Sequence, residues 1–297
     1  MAAREGLEPP TFALGKRCSI LLSYRADRGG DSSPCWAGQP GVGMRRRGSI
    51  IAGLLMAVML VGGCGDGADL DRLAVVGEAK VARLVAGDAV VLTDGRTVRL
   101  AGIVAPREGD PYAAQARSTL QALVAGQEVE LLSGGGRQDA YGRTLAHLRR
   151  KKGRVWVQGA LLDAGAVRVR TYADNRALAA RMLEREAKAR LARRGLWADK
   201  TYQVLLPQEA ARARGFAIVE GRAAAVAGSR LGDDIQLSDG GPGVEVQIPG
   251  GARDDFAAAG KPATAMKGKL IRVRGTLRAD RTMRIDHPEL IEVLTEP

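Results

Sequence analysis

The residues best suited to chemistry lie in one stretch, Val81 to Glu108, which reads VARLVAGDAVVLTDGRTVRLAGIVAPRE. Asp88 supplies a carboxylate, Arg99 a guanidinium, and Val104-Ala105-Pro106-Arg107 a short loop. Read as three strands and two turns, the stretch brings all of these close together. A carboxylate beside an arginine at the mouth of a small barrel suits a cation and a phosphate. Carboxylate oxygens are hard ligands of the kind calcium takes, and the guanidinium fork matches the oxygens of a phosphate.

The elements that must position these groups follow from local pattern. Glu78 to Val85 reads as a strand rich in Val and Leu. Gly87 turns the chain before Asp88, and Val90 to Leu92 continues as a second strand. Thr93-Asp94-Gly95-Arg96 carries the Asp-Gly signal of a hairpin turn. Thr97 to Ile103 is the third strand, closed by Pro106, which cannot donate to a ladder. Tyr112 to Ala125 has apolar residues at helical spacing, namely Ala113, Ala116, Leu120 and Leu123. Strands are expected at Glu128–Leu132 and Thr144–Leu148, with a short helix at Val155–Ala164 and an extended piece at Val167–Arg170. Asp174 is placed to cap a long helix over Asn175–Arg194, with Gly195 as its stop and Trp197 packed behind. Five short strands with helices to one side make an α+β fold, a five-stranded barrel of the oligonucleotide-binding type.

In order and spacing, residues 78–200 resemble the staphylococcal nuclease (thermonuclease-like) family. The resemblance rests on Gly87-Asp88, Arg99-Leu100 with Ala105-Pro106, Tyr141-Gly142-Arg143, and Gly195-Leu196-Trp197. It implies a phosphodiesterase site in which two aspartates and a backbone carbonyl hold Ca²⁺, a glutamate activates water, and two arginines grip phosphate. By that resemblance Asp88 takes the place of the first metal aspartate, and Arg99 and Arg143 take those of the phosphate arginines. Val104 stands where the second aspartate belongs, Ala105 where the family has threonine, and Arg107 where it has the glutamate. The metal site is therefore incomplete and the base position is substituted, because Arg107 cannot accept a proton at neutral pH and repels a cation. Glu108 and Asp110 follow just beyond.

The chain has 297 residues, a formal net charge of +12 and a pI near 10.1. Such a charge suits a polyanionic partner, either nucleic acid or an anionic membrane surface; an Arg-rich solvated surface is the plain alternative. Aromatic residues make up only 4%, so stacking platforms for bases are few. The two histidines, His147 and His287, fall on separate expected strands, which argues against zinc ligation or a histidine-activated nucleophile. Leu148 to Lys152 reads as a basic hairpin tip, and the Glu/Arg pattern over Arg181–Arg194 as support for an exposed helix.

At the amino terminus, Met44-Arg45-Arg46-Arg47 precedes an apolar run, Ile50 to Val61, and then Gly62-Gly63-Cys64. A basic start, roughly a dozen apolar residues and small residues before a cysteine form a secretory signal, and Val61–Cys64 resembles a bacterial lipobox. Cys64 is then a lipid anchor in the cell envelope, facing the periplasm; a plain signal with an incidental cysteine is the competing reading. Residues 1–43 lack any period and read as a disordered upstream extension ahead of a start at Met44. In that case, of the chain's 3 cysteines only Cys64 remains and no disulfide framework forms. Residues 44–64 are the signal helix and 65–77 a tether.

Beyond Trp197 a helical linker is expected over 201–215, and then a second small barrel over 216–297. Strands are expected at Ile218–Val226, Ile235–Leu237, Val244–Ile248, Leu270–Leu277 and Arg284–Asp286, with a helix at Arg253–Ala259. The segment GKLIRVRGTLRADRTMRIDHPELIEVL resembles the last strands of small bacterial barrels found behind nuclease-like domains. Arg272, Arg274, Arg278, Arg281 and Arg284 form either a basic face for a nucleic-acid strand or a surface strand alternating with core residues Ile271 and Val273. Three functional readings follow: an envelope-anchored nuclease-like protein with weak calcium-dependent hydrolysis of DNA or RNA, a catalytically inactive nucleic-acid or protein-binding module at the membrane, and a structural lipoprotein.

Overall fold

A computed structural model describes residues 66–295; the upstream extension, the signal and Cys64 lie outside the described residues. The chain first forms α1 (Asp66–Asp71), β1 (Ala74–Ala86), β2 (Ala89–Leu92), β3 (Thr97–Leu100) and β4 (Ile103–Val104). Next come α2 (Ala113–Val124), β5 (Glu128–Ser133), β6 (Thr144–Arg150), α3 (Val157–Asp163), β7 (Arg168–Val169) and α4 (Ala179–Leu191). Strands close into a barrel in the order β1-β2-β3-β6-β5. All its pairings are antiparallel except β3 with β6. That single parallel pair is bridged by α2 and β5, the connection an oligonucleotide-binding barrel requires.

Several elements differ from the sequence expectation for tertiary reasons. The expected strand Thr97–Ile103 is broken at Gly102, which has φ +76°, and β4 leaves the barrel to pair with β7. The expected tether is not free chain: α1 buries Leu70 in the barrel core, and β1 starts at Ala74. Asp174 does not cap α4. Its carbonyl instead accepts from the Gly136 N–H at 2.8 Å, Asn175 donates to the Gly136 carbonyl at 2.9 Å, and the helix begins after Leu178. Contacts with the glycine loop thus take the place of a helical turn. The basic tip also differs, because β6 runs on to Arg150 and Arg149 is buried against Glu130 and Asp71.

A second barrel follows from β8 (Gly215–Gly228), β9 (Gly232–Leu237), β10 (Val244–Pro249), β11 (Leu270–Leu277), β12 (Thr282–Arg284) and β13 (Ile291–Val293). The order is β12-β10-β9-β8-β11-β13, and the extra β12–β11 pairing closes five of these strands into a ring. Again one pair is parallel, β10 with β12. Helices α6 (Arg253–Ala258) and α7 (Ala263–Met266) fill the connection before β11. The expected linker helix is reduced to a 3-10 turn at Lys200–Tyr202 and one short α-helix, α5 (Pro207–Ala210), because Leu205 bridges to Val219 of β8 instead. His287 lies past the end of β12 rather than within a strand.

Each barrel has its own apolar core, one around Val90, Leu100, Leu131 and Leu161, the other around Val219, Ile235, Val246 and Ile271. A smaller cluster of Ala189, Leu196, Trp197, Tyr202 and Ile218 joins them. Arg274, expected either on a basic face or on a plain strand surface, is instead buried at this junction. It donates to Glu186 of α4 and to Glu292 of β13, at 2.6 Å each, while Arg272 pairs with Glu220 and Glu292. The basic face is thereby reduced to Arg278, Arg281 and Arg284, which remain exposed. Among the described residues no helix is long and apolar enough to cross a membrane.

Candidate functional site

The turn between β1 and β2 consists of Gly87 and Asp88, since Ala86 pairs with Ala89. A Cβ on Gly87 would stand 2.8 Å from that of Ala105 and 2.9 Å from that of Ala116, so only glycine lets the turn seat against the loop and α2. Ala89 pairs with Arg99, which places the Asp88 side chain beside the β3 arginine. The parallel register sets Val98 opposite Thr144 and Arg99 opposite Leu145, so Arg143 enters at the same rim. Asp139 shapes the turn before it, accepting from the backbone N–H groups of Tyr141 at 2.9 Å and Arg143 at 3.0 Å.

Asp88, Arg99 and Arg143 do meet at one rim, but not on equal terms. Asp88 is only 7% exposed, and its Oδ2 accepts from the Ala105 N–H at 2.6 Å and lies 3.0 Å from Arg99 Nη2. Arg99 also donates to the carbonyls of Asp88, Leu100 and Ile103. Burial pulls its guanidinium below the usual value, and the Asp88 charge opposes that pull. It stays a cation, as arginine does in proteins. Arg143 turns Nε and Nη2 to Asp139, at 2.7 Å each, and Nη1 is its remaining donor nitrogen. Burial works to raise the Asp139 carboxyl, but the Arg143 bond and two backbone N–H groups outweigh it and hold the group below the carboxylate range.

Arg99 and Arg143 line a cavity of about 300 Å³ at the barrel rim, shared with Tyr141, Tyr172, Gln138 and Asp139. Asp88 stands behind Arg99 and does not line it. Tyr141 is 85% exposed and its ring lies 5.4 Å from the Arg143 guanidinium carbon. Nothing in the sequence marked Tyr172 or Gln138 as cavity residues; they come from connections outside the expected strands.

The donor set does not fit a calcium ion. Calcium takes six to eight oxygens, with carboxylates supplying much of the affinity. Asp88 already serves a guanidinium and a backbone N–H, and the Val104 side chain has no oxygen to add. Arg107 is exposed on the loop, its N–H donating to Asp110 at 2.9 Å. Among the described residues no group of three or more His, Cys, Asp or Glu side chains gathers as a metal site.

The first barrel is thus small and closed, with an arginine-lined cavity on its rim. The family model for staphylococcal nuclease homologues matches residues 97–199, so this part of the chain is a staphylococcal nuclease-like domain. The match takes in Arg99 and Arg143 and begins after Asp88, which the folded barrel supplies from upstream. No curated protein matches the chain.

Proposed function

We propose that the nuclease-like domain binds the phosphodiester backbone of nucleic acid at the rim cavity and does not hydrolyse it with calcium. The observation that carries this reading is the division of labour between the two arginines. Arg143 holds a donor nitrogen toward a cavity that an aromatic wall shares, and Arg99 contributes a fixed positive charge at its edge. Asp88 is spent on bracing Arg99 and Ala105. Charge-assisted hydrogen bonds from a preset guanidinium favour phosphate, and the chain's charge of +12 favours a polyanion.

Fluorescence anisotropy with a labelled single-stranded oligonucleotide tests this. Arg143→Ala should weaken binding by about tenfold, or ~1.4 kcal/mol; an unchanged Kd would overturn the reading. In a calcium zymogram the protein should give no clearing. Clearing that disappears in Asp88→Ala would establish hydrolysis in place of simple binding.

The sequence Val61–Cys64 supports a lipid tether that holds this module in the cell envelope. In bacteria fed an alkyne fatty acid, the protein should become labelled and Cys64→Ser should not. Equal labelling, or none in either, would remove the tether from the proposal.

A further inference from the structure

A second cavity, of about 240 Å³, lies where the two barrels meet. Arg170 and Thr171 of the first barrel's return segment line one side, and Arg278, Arg284 and Thr276 of the second barrel line the other. Asp286 is the one acid on its wall, and it already faces His287 Nδ1 at 2.7 Å. Among the described residues, no carboxylate lies within ion-pair distance of Arg170, Arg278 or Arg284. Three guanidinium groups around one hollow repel each other unless an anion sits between them.

The hollow is held open by fixed parts. Thr171 Oγ1 lies 2.7 Å from His287 Nε2, both side chains being buried, and the Arg274–Glu186 pair locks the same seam. Tyr172, 47% exposed, lines both this cavity and the one at Arg143, so the two hollows are neighbours. Between them the Arg170 guanidinium carbon lies 5.6 Å from the Tyr172 ring and 5.5 Å from that of Phe216. Exposed Tyr141 and Tyr172 offer flat faces to unpaired bases, which a duplex would keep stacked inside itself.

We propose that the seam cavity is a second phosphate subsite for the same single-stranded nucleic acid whose first phosphate sits at Arg143, with Tyr172 under the base between them. The proposal rests on the reading of the rim cavity given above. It assigns a role to the second barrel, which supplies Arg278 and Arg284 so that binding depends on strand length. A dinucleotide with one phosphodiester fills one subsite, and a longer strand fills both.

The experiment measures binding of dT2 and dT10 to the protein, to Arg278→Ala/Arg284→Ala, and to Arg143→Ala, over a salt series. Both seam arginines are exposed, so the double variant keeps the fold. Each phosphate contact with a single strand contributes about 0.7 to the slope of log K against log salt. The seam variant should bind dT10 about tenfold or more weakly, with a slope shallower by about 0.7, and should bind dT2 as before. A control that removes two other exposed arginines, Arg212→Ala/Arg230→Ala, should leave dT10 affinity near that of the parent. Equal dT10 curves for parent and seam variant would overturn the proposal, as would an equal loss in the control. Loss of dT10 binding in the seam variant with none in Arg143→Ala would retain the seam site and overturn the rim reading. Failure of the parent protein to bind either oligonucleotide would overturn both.

Discussion

His147 occupies β6 with no exposed surface, its ring 5.9 Å from that of Trp156. Burial penalises the imidazolium and pushes the pKa from 6.5 down to about 4. The neutral ring therefore belongs to the folded state. Between pH 6.5 and about 4 the unfolded chain binds a proton that the folded chain does not, so stability falls as pH falls through that window. The full shift corresponds to roughly 3 kcal/mol. Urea unfolding at pH 7, 5.5 and 4.5 should show this loss, and His147→Leu should flatten the part of it that histidine causes. A profile for the variant parallel to that of the parent would refute the assignment. Asp88 teaches a related lesson about single residues. Its type suits a metal, yet its partners, Arg99 and the Ala105 N–H, make it a brace.

At the scale of elements, α4 and β11 are bound through charge. Glu186 is fully buried and accepts both from Arg274 at 2.6 Å and from the Val169 N–H at 2.7 Å. Burial works against the Arg274 charge, but Glu186 and Glu292 outweigh it and raise its pKa. Removing one member of such a pair leaves the other charge buried without compensation, typically at about 3–5 kcal/mol. Arg274→Met should therefore destabilise the protein by about 3 kcal/mol or more, as read from the urea midpoint. Adding Glu186→Gln, which keeps an acceptor for Val169, should recover a large part of that loss. Costs that simply add in the double variant would show that the two side chains are not coupled. The same pair explains why a helix with ordinary Glu/Arg spacing is not wholly solvated: Lys188 and Glu184 pair at the surface, while Glu186 faces the other barrel.

Over the described residues as a whole, two barrels of like topology share a seam containing an apolar cluster, a buried ion pair and the Thr171–His287 contact. Much of the positive charge is tied up internally. Arg149, Arg272, Arg274 and Arg253 each meet carboxylates. The arginines left facing open cavities are fewer and grouped, and that grouping, more than the net charge, gives the surface direction. A polyanion should thus bind along the rim and the seam, and the salt slopes described above measure how many of its phosphates do so.

Most β-strands of both barrels were legible in the sequence because side-chain alternation repeats every two residues, and a short window contains it; β13 was not expected, and β12 lies at Thr282–Arg284 where a strand was expected at Arg284–Asp286. β11 coincides with the expected Leu270–Leu277, and the Gly87–Asp88 turn beside Arg99 follows from pairing between near neighbours in the chain. Other features depend on residues far apart in sequence. Nothing within Leu270–Leu277 reveals that Arg274 will meet Glu186, 88 positions away. No window around Arg99 shows that Arg143 and Tyr172 will share its cavity. Local sequence set the period of each element, because backbone geometry is local. Packing alone decided which charges were neutralised and which were left around a hollow, because burial and pairing depend on what the distant chain brings alongside.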